Sequence, residues 1–274
     1  MSSTITKLNA PLTQAFDSHP SSETKITATA TINVQAQRLA DFNTLAEALE
    51  YAAGGTTGYN FYDAKGNLQS VLPYSKLRQN ARISAQHLSS FGLERGTRVA
   101  IIADTSPEFS ELFFACRYAG LVPFAMPVPV NLGSHAIYVQ QLRGMLNSGQ
   151  AAIAIANVDY VSFLKEAAEE MDGLQWVGTP SELATLPAMD VAFQPNDPDE
   201  TAYLQFTSGS TKASRGVIIT ERALMTNMQG IVRNGLEMRP TDRAASWLPF
   251  YHDMGLVGLV LAPMVSQVSV DYLA

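Results

Sequence analysis

The stretch RVAIIADTSPEFSELFFACRYAGLVPFAM, residues 98–126, decides the fold. Arg98 to Ala103 is a short apolar run without polar alternation, the pattern of a strand buried on both faces. Pro107 to Tyr118 then sets Phe109, Leu112, Phe113 and Cys116 at helical spacing, and Gly120 supplies a stop. Val122 to Met126 is a second buried strand. Strand, helix, strand predicts a right-handed crossover between two parallel strands.

The alternation continues on both sides. Downstream, helices are predicted over Ala136 to Leu146 and Tyr160 to Glu169, with strands over Ala152 to Ala156 and Leu174 to Val177. Leu183 to Glu200, with its prolines and acids, reads as a surface connection. Upstream, Asn43 or Thr44 caps a helix carrying Leu45, Ala48 and Leu49. Tyr59 to Tyr62 and Leu68 to Leu72 flank a turn signal and form a hairpin. A further helix runs from Pro73 or Tyr74 to Gly92. Residues 1–40, rich in Ser, Thr, Ala and Gln, read as a flexible leader, and 41–274 as the folded part. The fold class is α/β, with layered, mainly parallel sheets flanked by helices.

Beyond the connection lies TSGSTKASRG, residues 207–216, between the apolar runs Ala202 to Phe206 and Val217 to Ile219. Such a cluster between strands is often a plain turn. It is also a good cradle for a polyphosphate: glycines admit close backbone approach, hydroxyls and amides donate, and Arg215 neutralises charge. Neither the GxxxxGK[ST] loop nor the GxGxxG fingerprint is present. The cluster stands after a predicted strand, where ligands of such sheets bind. A helix from Arg222 to about Asn234 follows.

The other unusual stretch is WLPFYHDMGL, residues 247–256. Pro249 ends a strand over Ala244 to Leu248 and leaves two aromatics, His252 and Asp253 in a loop. Gly255 then opens an apolar helix. This arrangement suits a pocket wall that meets an acyl chain or a planar base; a core corner with a satisfied histidine is the plainer alternative.

Taken as an ordered pair, the two motifs resemble the adenylate-forming (acyl-activating) superfamily, and YHDMGL resembles fatty acyl-AMP ligases in particular. The resemblance covers about Asn43 to Ala274 and implies part of the large N-terminal domain of such an enzyme. It implies that Thr207, Ser208, Gly209, Ser210 and Thr211, with Lys212 and Gly216, embrace the phosphates of ATP, and that Arg215 replaces the usual Lys. Lys212 stands where Gly is frequent and Ser214 where Pro is frequent. His252 is implied to line the acyl pocket beside the reacting carboxylate, with Tyr251, Asp253 and Gly255 completing that wall; Arg215 and His252 are the expected catalytic pair. The implied reaction converts a fatty acid and ATP to acyl-adenylate and pyrophosphate, with Mg²⁺ accompanying ATP. The acyl group then passes to an acyl carrier protein or a polyketide or nonribosomal synthase. An acyl-CoA synthetase of the same fold and a truncated, non-catalytic binding module are the alternatives. Because the family is typically about twice as long, an N-terminal fragment is expected, with the Mg²⁺ ligand and catalytic Lys beyond it and little turnover of its own.

Composition sets the remaining bounds. With 46% hydrophobic and 16% charged residues the chain is globular in character, and a net charge of −7 argues against a nucleic-acid partner. The apolar runs are short and carry prolines, so stable membrane insertion is not expected. Cys116, the single cysteine, is expected to be inert core packing. The location expected is a reducing cytoplasm. The four histidines are too far apart to suggest a metal site.

Overall fold

A computed structural model describes residues 35–129, 135–169, 171–207 and 215–273. The chain divides into Met1–Asn33, which lies outside the described residues, and Val34–Ala274. The predicted leader therefore falls outside the description up to residue 34. Its last part is seated on the body: Gln37 Nε2 donates to Ser266 O at 2.9 Å, and Ala40 N donates to Val265 O at 3.1 Å.

The alternating segments build a six-stranded sheet in the order β6-β5-β3-β4-β7-β8. Its strands are β3 (Arg98–Ile102), β4 (Val122–Met126), β5 (Ala151–Ile155), β6 (Trp176–Gly178), β7 (Thr201–Thr207) and β8 (Arg215–Thr220). The first five are parallel, whereas β8 returns antiparallel to β7. Both faces are covered, as the continuous apolar strands require. Val99 and Ile101 point into one core, while Ala100, Ile102, Phe124 and Met126 point into the other.

The crossovers are α3 (Pro107–Tyr118), α4 (His135–Gly149) and α5 (Val161–Ala168). Helix α3 starts where its sequence says it should: Pro107 occupies the first turn and Ser106 Oγ accepts from Phe109 N. It ends at Gly120, whose φ is +71°. Cys116 is fully buried there, and burial pushes its thiol up to about 12. That agrees with inert packing.

A second sheet has the order β2-β1-β10-β9. The expected hairpin, β1 (Gly58–Tyr62) with β2 (Leu68–Pro73), pairs through β1 with β10 (Ser269–Leu273), which in turn pairs with β9 (Arg243–Ser246). Chain segments far apart in sequence thus share one sheet. Helix α2 (Tyr74–Ser89) packs against β2 and α3, and α1 (Leu45–Ala52), capped by Thr44, packs against α2 and α3.

Three elements depart from the sequence expectation. A one-turn helix, α6 (Pro180–Leu183), closes on a capping box from Thr179 and Glu182 before the surface connection begins. The helix expected from Arg222 to Asn234 is α-helical only as α7 (Glu221–Gln229), then widens to π geometry over Gly230–Gly235. The apolar helix after Gly255 is π-helical over Met254–Leu261 and continues as α8 (Ala262–Val265). Tyrosines support that segment: Tyr59 Oη donates to Val260 O at 2.6 Å and Tyr272 Oη to Leu259 O at 2.7 Å. Helical periodicity cannot separate α from π, because the difference is one inserted residue in the hydrogen-bond ladder.

Candidate functional site

The antiparallel register sets Thr207 directly opposite Arg215, so the two residues bracket the hydroxyl-rich segment at the open end of the sheet. Ser208, Gly209, Ser210, Thr211 and Lys212 lie outside the described residues. Thr207 and Arg215 are both exposed. A Cβ at Gly216 would stand 3.3 Å from the Phe206 ring, a tight contact. That ring packs on Phe124 with centroids 5.2 Å apart.

The second motif leaves β9 and folds into a turn. His252 N donates to Pro249 O at 3.2 Å. Phe250 is fully buried and anchors the turn between Phe109 and Tyr272, its ring centroid 5.6 Å and 4.8 Å from theirs. Asp253 Oδ1 accepts from Met254 N at 2.7 Å and so caps the π-helical segment. Gly255 is buried and a Cβ on it would fall 2.1 Å from Pro249 O, so only glycine fits beneath this turn.

The two motifs meet. Thr207 shares a cleft of about 290 Å³ with Tyr251, His252 and Asp253, roofed by Gln141 and Met145 of α4. The Tyr251 and His252 rings lie 4.9 Å apart at 37°. On the other side of the same wall is an apolar cavity of about 700 Å³, bounded by Val217 and Ile219 of β8, Ile231 and Leu236, and Met254 and Val257. Gln205, Thr207 and Asp253 border both spaces. Volumes of this size suit small-molecule ligands. Burial, with the Asp253 carboxylate adding to it, raises the Tyr203 hydroxyl well above its ordinary value.

Of the residues singled out in the sequence, Thr207, Tyr251, His252 and Asp253 come together in the smaller cleft. Arg215 stands across from Thr207 on the neighbouring strand but does not line that cleft, and Gly255 lines neither space. Gln205 escaped the sequence reading. Its Nε2 donates to Tyr251 O at 3.1 Å and to Phe206 O at 3.3 Å, joining the two motifs. The available signal was a lone amide inside an apolar strand. Among the described residues no group of three or more His, Cys, Asp or Glu side chains could hold a metal ion.

A cleft at the strand ends is where ligands of open α/β sheets bind, and comparison with known proteins gives the family. Residues 52–273 match the AMP-binding enzyme family, and the chain belongs to it. It is 43% identical over 246 residues to a Caulobacter vibrioides protein named as an acyl-CoA synthetase, covering 89% of this chain and 42% of that one. It is 31% identical over 227 residues to the long-chain-fatty-acid–AMP ligase FadD32 of Mycolicibacterium smegmatis, covering 78% and 34%. A solved structure from a study of fatty acyl-adenylate ligases of E. coli and L. pneumophila superposes with a TM-score of 0.84 at 45% identity, covering 87% of this chain and 43% of that one. The chain spans less than half the length of these relatives. No helix among the described residues is long and apolar enough to cross a membrane.

Proposed function

We propose that this chain supplies the triphosphate grip and the acyl slot of an enzyme that activates a fatty acid as its acyl-adenylate for transfer to a carrier protein. One observation carries the reading: the stem of the hydroxyl-rich segment and the His252 turn border one cleft, and an apolar cavity backs onto the same wall.

In this reading the carboxylate end of the fatty acid sits at the partition of Gln205, Thr207 and Asp253, with its chain in the apolar cavity. The triphosphate lies against Thr207, Ser208, Gly209, Ser210, Thr211 and Lys212, with Gly216 beyond. A carboxylate oxygen attacks the α-phosphorus, the bond to the bridging oxygen breaks, and pyrophosphate leaves with that electron pair. No protein nucleophile is needed; the work is alignment and charge neutralisation. Arg215 supplies positive charge, and His252 and Tyr251 wall the reacting end. Mg²⁺ would enter as the ion accompanying ATP, held chiefly by the phosphates.

The test is acid-dependent ATP–pyrophosphate exchange by the natural full-length protein, followed by mass detection of acyl-adenylate and of the acyl group on a phosphopantetheinylated carrier protein or on coenzyme A. Absence of acid-dependent exchange refutes the assignment. Transfer to coenzyme A instead of the carrier favours the second reading, an acyl-CoA synthetase, which the name of the 43% identical relative supports.

A further inference from the structure

We infer that Gln205 is a positioning residue of this site: it clamps the turn that carries His252 onto the stem of the hydroxyl-rich segment. This rests on the proposed function for the identity of the reaction, but not for the clamp itself.

Residues Tyr203, Gln205 and Thr207 alternate onto one face of β7, the face that borders the apolar cavity. At 205 this face turns towards Tyr251, and the side-chain amide spans the gap between the two motifs. Its Nε2 donates to the Tyr251 carbonyl at 3.1 Å and to the neighbouring Phe206 carbonyl at 3.3 Å. Tyr251 is the residue immediately before His252. On the far side of Tyr251 the turn is held by the buried Phe250 ring. Tyr251 thus lies between two anchors, one of packing and one of hydrogen bonding, while His252 and Asp253 beyond it are exposed. Without the amide, the turn loses its hydrogen bond to β7 and keeps the packing of Phe250 and its own internal hydrogen bonds.

Gln205 Oε1 is buried and has no hydrogen-bond partner among the described residues. Leaving such an acceptor unsatisfied is costly, and Met or Leu would fill the same space without that cost. The amide N–H groups bridge the Phe206 and Tyr251 carbonyls and so tie the Thr207 stem to the His252 turn. Misplacing reacting groups by about 1 Å costs on the order of 100-fold in rate.

The experiment compares wild type with Gln205→Met in the natural full-length protein. Hydrogen exchange is followed in a peptide spanning residues 248–256, with a peptide from residues 107–118 as the internal control. Faster exchange in the first and none in the second supports the clamp; unchanged exchange in both, or acceleration in both, overturns it. Kinetics supply the second readout. The variant is expected to lose about 10- to 100-fold in kcat for adenylate formation while KM for ATP stays within about twofold. A wild-type kcat, or a change confined to KM for ATP, overturns the positioning role. If wild type forms no acyl-adenylate, the proposed function fails while the exchange comparison still decides whether Gln205 holds the turn.

Discussion

Arg117 and Glu221 form an ion pair sealed from solvent, with Arg117 Nη2 3.0 Å from Glu221 Oε1 and the two side chains 1% and 0% exposed. The pair joins the end of α3 to the start of α7. Each partner is satisfied further: Arg117 Nη1 donates to Leu121 O at 2.6 Å, and Glu221 Oε2 accepts from Leu45 N at 2.9 Å at the start of α1. Three helices are thereby tied at one buried point. Burial pushes the Glu221 carboxyl up, and the guanidinium opposes that shift.

Removing one member strands the other. Arg117→Met is expected to cost about 3–5 kcal/mol, because an uncompensated carboxylate is left in the core. The double variant R117M/E221L should recover part of that loss, because Leu45 N and Leu121 O still lose their side-chain partners. Urea denaturation of the two variants checks this, and a double variant no more stable than the single one contradicts it.

Arg215 and His252 stand at different places and should fail differently. Arg215→Ala is expected to raise KM for ATP about 10-fold, the value of one charge-assisted hydrogen bond, with fatty-acid KM little changed. His252→Ala should chiefly impair use of the fatty acid. Steady-state kinetics with each substrate varied separates the two; an unchanged ATP dependence in R215A removes Arg215 from the site.

Gly258 lines the apolar cavity, and a Cβ added there meets only the Met254 sulfur, at 3.4 Å. The backbone therefore tolerates a side chain, which would have to occupy the cavity. For Gly258→Phe we expect kcat/KM with stearate to fall by about 10-fold or more relative to octanoate, the scale on which pockets discriminate apolar groups. Equal losses for both acids would show that this cavity does not hold the chain.

Asp271 lies on β10 between β9 and β1. Arg243 Nη2 donates to its Oδ1 at 2.7 Å, and Asn60 Nδ2 donates at 2.8 Å. The Arg243 guanidinium, foremost, holds the Asp271 carboxyl below its usual range. A depressed carboxyl stabilises the fold above its unfolded pKa of about 3.9 and loses that contribution as pH falls through the lower folded value. With Arg243 half exposed, the contribution should stay below about 1 kcal/mol. Asp271→Asn should therefore narrow the stability gap between about pH 6 and pH 3; denaturation at both pH values tests it, and an unaltered gap refutes it.

Local signals located most elements. Proline at the first turn of α3, Ser106 before it and Gly120 after it act within a few residues, so the boundaries of that helix were readable. The Thr44 cap and the hairpin turn were readable for the same reason. The cluster at residues 207–216 and the turn at 249–253 could each be noticed as chemistry-bearing segments, since hydroxyls, glycines and a proline-terminated strand are local features.

Gln205 shows where that legibility ends. In sequence it is one amide in an apolar strand, and its value comes from a carbonyl 46 positions away. Arg117 and Glu221 likewise look like ordinary charges on two helices until packing seals them together. At Gly216 and Gly255, read as parts of binding surfaces, an added Cβ would stand 3.3 Å from the Phe206 ring and 2.1 Å from Pro249 O, contacts that only the folded chain makes.

The amino-acid order alone determined the alternation of buried strands and helices, the places where each begins, and the two segments able to carry chemistry, because caps, turns and hydrophobic period are short-range effects. Only the tertiary structure decided that β10 inserts beside β1, that two helical runs widen to π geometry, and that Thr207 and His252 border one cleft with an apolar cavity behind it. Those facts depend on contacts between distant parts of the chain, whose free energy comes from burial and mutual hydrogen bonding that no local window contains.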